Sequence, residues 1–183
     1  MNKSAKILAL ISFFLGTFLL VIYYLTMSAE FALFSYFLVG GIVVINLMVL
    51  ILLISKLLNR GSEKEGILKT IGIMLLNIPI ALFYFYVVSI LTSYIRLTIT
   101  NKTNTVLSNI VISGCDKQKI DGLNVNESET VWIKISGDCS VNLSYNVNGV
   151  EKEENVFGYV TNMMGQKVKY DIGIDKKSLD TEF

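Results

Sequence analysis

Up to residue 95 the chain is almost entirely Leu, Ile, Val, Phe, Tyr and small residues, broken by a polar stretch at 59–66, and from Arg96 onward apolar residues alternate with Asn, Ser, Thr, Lys, Asp and Glu. The two patterns suit two different solvents. A membrane helix needs about 20 mainly apolar residues to cross about 30 Å of hydrocarbon. Residues 7–27, 31–58 and 67–95 pass that test. The second and third stretches exceed a perpendicular crossing and are expected to tilt or to extend past the headgroups. Lys3 and Lys6 ahead of the first stretch, with Ser28 and Ala29 behind it, would also suit a secretory signal, but the length of its apolar core favours an uncleaved anchor.

In the second half the period changes to two, the mark of strands with one buried face. Leu97 and Ile99 alternate with threonines. Val131, Ile133 and Ile135 alternate with Trp132, Lys134 and Ser136. Val141, Leu143, Tyr145 and Val147 alternate with Asn142, Ser144 and Asn146, and Val168, Tyr170, Ile172 and Ile174 alternate with Lys169, Asp171 and Gly173. Weaker strand patterns cover residues 107–112, 118–123 and 150–159. Asn148-Gly149 between two alternating runs is a strong hairpin signal, because both residues tolerate the positive φ of a type I′ turn. Residues 124–129 and Gly137-Asp138 supply further turns. Six or seven short strands with no proline among them predict a small antiparallel immunoglobulin-like β-sandwich. The expected fold class is therefore membrane α plus β. A three-helix transmembrane domain fills residues 1–95, a β-domain fills 96–177, and 178–183 form a flexible tail.

Orientation follows from charge, since cytoplasmic loops carry the excess of Lys and Arg. Lys3 and Lys6 precede the first span, and Lys56, Arg60, Lys64 and Lys69 surround the loop between spans two and three, whereas residues 28–30 contain no basic residue. This places the N-terminus inside and the β-domain outside. Arg96 alone argues the other way. Tyr23, Tyr24 and Tyr94 fall near the outer ends of spans, where interfacial aromatics belong. The preference for Lys over Arg is that of an AT-rich bacterial genome, and a bacterial inner-membrane location is expected.

Composition narrows the chemistry. A net charge of +1 gives nucleic acid nothing to attract it, and the absence of histidine removes the commonest general base and metal ligand. No nucleophile elbow, glycine-rich phosphate loop, zinc spacing or calcium loop is present, so no catalytic residue, cofactor or metal is assigned. Asp116, Asp121 and Asp138 would meet a cation only if the fold gathered them. Glu151, Glu153 and Glu154 read as a solvated edge that deters strand pairing. Sequons at Asn101, Asn126 and Asn142 are what a segment rich in Asn, Ser and Thr yields by chance.

The remaining candidates are structural or recognitional. Cys115 and Cys139, the only cysteines, form a candidate disulfide on the oxidising side. Trp132, the only tryptophan, is predicted to lie outside the core, although the opposite register would turn it inward. Met163 and Met164 beside Gly165 form an adaptable loop. These three, Trp132, Met163 and Met164, are the partner-binding candidates. Gly40, Gly41, Asn46, Asn77 and Pro79 are the helix-packing or hinge candidates. The leading expectation is a non-enzymatic envelope protein whose β-domain binds a protein partner, with membrane lipid around its helices. The alternatives are an immunity protein that neutralises a membrane-directed toxin and an accessory subunit of a transporter or secretion complex.

Overall fold

A computed structural model describes residues 2–59 and 64–174. Arg60 and residues 178–183 lie outside the described residues. The chain divides into two compact units, Met1–Val88 and Ser89–Phe183.

The first unit is built from α1 (Asn2–Thr26), α2 (Ala29–Asn59) and α3 (Lys64–Leu91). All three are long and apolar enough to cross a membrane. Met27, at φ 46°, ends α1, and the Ser28 hydroxyl then accepts a hydrogen bond from the Phe31 N–H at 3.3 Å, capping α2. Small residues on α1 admit its neighbours: Ala5 and Ala9 are buried with Leu53, Ile67 and Met74. Polar clips add direction. Asn46 on α2 donates to the Ser12 hydroxyl at 2.8 Å, Asn77 on α3 donates to the Ala9 carbonyl at 3.1 Å, and the Thr17 and Tyr84 hydroxyls meet at 2.5 Å. Gly16 leaves room for that tyrosine, since a Cβ there would come within 2.8 Å of its ring. Asn46 and Asn77 are thus interhelical ties centred on α1. The helix α3 runs without a break through Pro79. Among the described residues no atom of another element comes within 4 Å of a Cβ built at Gly40 or Gly41, so neither glycine packs closely against α1 or α3.

The third helix ends earlier than its hydropathy suggests. It stops at Leu91, and Tyr94 and Ile95, read from sequence as the end of a span, open the first strand. Ile95 is apolar because it starts the sandwich core, where it is fully buried with Leu97 and Ile99.

The second unit contains β1 (Tyr94–Asn101), β2 (Leu107–Gly114), β3 (Gln118–Leu123), β4 (Ser128–Lys134), β5 (Cys139–Val147), β6 (Val150–Val160) and β7 (Lys167–Ile172). They form a four-stranded sheet, β3-β2-β5-β6, and a three-stranded sheet, β4-β1-β7. Residues from both sheets, among them Ile99, Ile112, Leu143, Ile133 and Ile172, make one buried core. The expectation of a wholly antiparallel sandwich needs correction, because β1 and β7 pair in parallel, Arg96 opposite Lys167 and Asn101 opposite Ile172. The loop after β6 brings the chain back to the end where β1 begins, so β7 must run beside β1 in the same sense. An immunoglobulin constant domain divides its seven strands four and three as well, but in the orders A-B-E-D and C-F-G, which are not the orders here. The alternation of Val168, Tyr170 and Ile172 also stops one residue pair short: Gly173 has φ 97° and Ile174 is exposed.

Two local features fix the frame. Asn148 and Gly149 take φ 53° and 78°, as a type I′ hairpin between β5 and β6 requires. Cys115 and Cys139 are joined by a disulfide with Cα atoms 5.0 Å apart. It ties the end of β2 to the start of β5 within one sheet, next to the hydrogen bond from the Cys115 N–H to the Ser140 carbonyl at 3.0 Å.

Candidate interaction surfaces at the two ends of the sandwich

Strand directions give the sandwich a near end, where the chain leaves α3, and a far end. Only Thr92 and Ser93 separate Leu91 from Tyr94, so the start of β1 lies at most about 11 Å from the helix terminus by chain length alone. The segment 92–96 is gripped from both sides. The Ile135 N–H donates to the Ser93 carbonyl at 2.9 Å, the Gly165 N–H to the Thr92 carbonyl at 2.8 Å, and the Arg96 N–H to the Gln166 carbonyl at 2.9 Å. A Cβ at Gly165 would fall 2.5 Å from the Thr92 oxygen, so glycine is what lets the loop after β6 lie against this segment. That loop carries Met163, 77% exposed, and Met164, 44% exposed.

On the outer face of the three-stranded sheet, register places Trp132 beside Arg96 and Arg96 beside Lys167, with Tyr94 opposite Lys134. Trp132 is 36% exposed and lies outside the core. Its ring meets Tyr94 edge-on at 6.3 Å between centroids, and the Arg96 guanidinium stands 5.4 Å from its centre, within cation–π range. The three recognition candidates therefore share the near end of the domain. The far half of the same face is mixed: the Thr98 and Thr130 hydroxyls lie 2.8 Å apart, and register sets Lys169 beside Thr98 and Asp171 beside Thr100.

The far end holds the features that sequence reasoning missed. Glu154 does not belong to a solvated edge: opposite Leu143 in the register, it faces inward. It accepts a hydrogen bond from the Tyr145 hydroxyl at 2.6 Å and another from the Tyr170 hydroxyl, which comes from the opposite sheet. Burial, together with the carboxylate that accepts their protons, pushes both phenols well above the ordinary tyrosine range. Beside this clamp a cleft of about 240 Å³ opens, lined by Thr103, Tyr145, Val147, Lys152, Glu154 and Ile174. Small-molecule sites usually run to about 300–1,000 Å³, so the cleft suits one side chain better than a cofactor.

Asn101 closes the same end. It is fully buried, donates to the Thr105 and Leu123 carbonyls at 2.8 and 3.0 Å, and accepts from the Thr103 N–H and hydroxyl at 2.9 and 2.6 Å. Its sequon is thereby occupied by structure. The three aspartates are dispersed. Asp116 bonds Gln118 and the Lys117 N–H, Asp121 lies 3.7 Å from Lys119, and Asp138 accepts from Tyr159 and Thr161. Those donors hold the Asp116 and Asp138 carboxyls below their usual range, Gln118 chiefly for the first and Thr161 for the second. Among the described residues no group of three His, Cys, Asp or Glu side chains gathers around a cation position. No protein-family model, curated protein or solved structure matches this chain.

Proposed function

We propose that the chain is a non-enzymatic, membrane-anchored binding protein of the bacterial inner membrane. In this reading its N-terminus lies inside, and an outward-facing β-sandwich domain receives a side chain of a protein partner at its far end. The observation that carries the reading is the far-end cleft. It is too small for a typical cofactor, its walls combine Lys152 and Glu154 with the apolar Val147 and Ile174, and the Tyr145–Glu154–Tyr170 clamp holds the two sheets around it. A pre-shaped pocket of this kind is where binding energy concentrates in protein interfaces.

A photo-crosslinking residue at Lys152 or Thr103 should give a discrete protein adduct in intact cells, and one at Lys119 should not. Purification that returns the chain alone, with no adduct from either far-end position, would end the proposal. Orientation has its own test. A membrane-impermeant thiol reagent should label a cysteine placed at Lys152 while the inner membrane is intact, and one placed at Lys64 only after it is broken.

A second reading, an accessory subunit, draws on Gly40 and Gly41. Among the described residues no other element lies within 4 Å of a Cβ at either position, and small-residue surfaces let a neighbouring helix approach closely. Gly41→Ile should then disperse an assembly while leaving the chain itself folded.

A further inference from the structure

We propose that the near end of the sandwich is a docking face for the anionic phospholipid headgroups of the bilayer, with Arg96, Lys134 and Lys167 at the phosphates and Trp132, Met163 and Met164 in the interfacial layer. The proposal rests on the helices spanning a membrane and adds a second surface to the far-end cleft.

Chain continuity comes first. Tyr94 follows Leu91 with two residues between, and Gly165 is hydrogen-bonded to Thr92, so both the aromatic row and the methionine loop are built around the residues that leave the helix. If α3 ends at the headgroups, these side chains meet them. Trp and Tyr favour that layer because one edge of the ring is apolar and the other polar, and unbranched methionines adapt to it.

Charge is the second, independent argument. Arg96, Lys117, Lys134 and Lys167 lie at the near end, against Asp116 and Asp138. Both carboxylates keep their charge, and Asp116 also accepts from the Lys134 N–H at 3.5 Å, so the near end carries an excess of two positive charges. Glu127, Glu129, Glu151, Glu153 and Glu154 gather at the far end, against Lys102 and Lys152. An anionic surface attracts the first end and repels the second, so the same field that docks the near end holds the far-end cleft toward water. Arg96, which ran against the orientation rule, is accounted for as part of this face.

The test uses Trp132 as a built-in probe, because it is the only tryptophan. The full chain is reconstituted in nanodiscs of phosphatidylcholine alone or of phosphatidylcholine with phosphatidylglycerol. Its emission is then read with acrylamide in the water and with a quencher attached near the lipid headgroup. In the anionic discs the emission should shift to the blue, the headgroup quencher should act and acrylamide should be excluded, and added salt should reverse all three. A Lys134→Gln, Lys167→Gln variant keeps Arg96 against the indole and should lower the docked-to-undocked ratio roughly thirtyfold. A Met163→Ser, Met164→Ser variant should weaken headgroup quenching without removing its salt dependence. Equal acrylamide access in both lipids, with no headgroup quenching, would overturn the proposal. So would protection of Trp132 that appears only when a co-purifying protein is present. Failure of the chain to enter nanodiscs would instead defeat the membrane-spanning premise.

Discussion

Replacing Asn101 should cost the β-domain more than any other single polar substitution at its far end. The side chain is fully buried and joins the loop after β1 to the end of β3 through four hydrogen bonds. Asn101→Ala removes all four and leaves the Leu123 carbonyl, the Thr105 carbonyl and the Thr103 N–H seeking partners. At about 1 kcal/mol per net hydrogen bond, and more for each group left buried and unpaired, the loss should be about 3–4 kcal/mol. That is a large fraction of the 5–15 kcal/mol that typically separates folded from unfolded domains. Asn101→Asp keeps the acceptor for Thr103 but turns the two donors into an oxygen facing two carbonyls, so it should cost at least as much. The assay is urea unfolding of the full chain in detergent followed by Trp132 fluorescence, which reports the β-domain alone because no other tryptophan is present. With a slope of about 1–3 kcal/mol per molar urea, the midpoint should fall by roughly 1–4 M in both variants. A midpoint shift in Asn101→Asp well below that of Asn101→Ala would refute the donor role, and no shift in either would refute the reasoning altogether.

Three further outcomes are expected. Reducing the bond between Cys115 and Cys139, 24 residues apart in sequence, should lower domain stability by about 3.5 kcal/mol on the chain-entropy model, read as a drop in the same midpoint on adding a reductant. Because Tyr145 and Tyr170 keep their protons in the folded state to higher pH than in the unfolded chain, their contribution is fully present below about pH 10 and declines above it. Each should remove up to about 1.4 kcal/mol per pH unit, so Tyr145→Phe should flatten the alkaline fall in stability. In the helical unit, Asn46→Leu or Asn77→Leu should weaken helix association by about 0.6–1.7 kcal/mol. Thermal unfolding in detergent would register this as a small downward shift, with the β-domain midpoint in urea unchanged.

The strands were legible because alternation is a local property: each alternating run between Leu97 and Ile172 marks a strand, though the run of Val131, Ile133 and Ile135 outlasts β4, which stops at Lys134. The Asn148-Gly149 turn was legible for the same reason, since its positive φ values are a demand on two residues only. What alternation cannot express is partnership. Nothing in residues 167–172 says that they lie parallel to β1, and nothing in the acidic run of β6 says that Glu154 meets two tyrosines while Glu151 and Glu153 stay in water. Only register against β5 distinguishes them. The misplaced end of α3 has a simpler cause, because Ile95 is equally at home in lipid and in a sandwich core. Asn101 was hidden by its surroundings, one asparagine among many, and only its burial separates it from Asn126 and Asn142. Met163, Met164 and Trp132 were singled out as unusual from sequence, but the end of the domain that they occupy depended on the fold.

The central place of β1 sets an order on synthesis. It is the first strand of the domain to be made, yet it lies between β4 and β7, and β7 is the last among the described residues. One margin of β1 stays without its hydrogen-bonding neighbour until Lys167–Ile172 has been added, so the three-stranded layer closes only after β2 to β6 have all been made. Pairings between such distant parts of a chain form slowly, and an open apolar strand in the interval is prone to unwanted association. A nascent chain halted before residue 167 should therefore carry Ile95, Leu97 and Ile99 on a strand with one bare edge, making it a substrate for chaperones and proteases that ignore the completed protein.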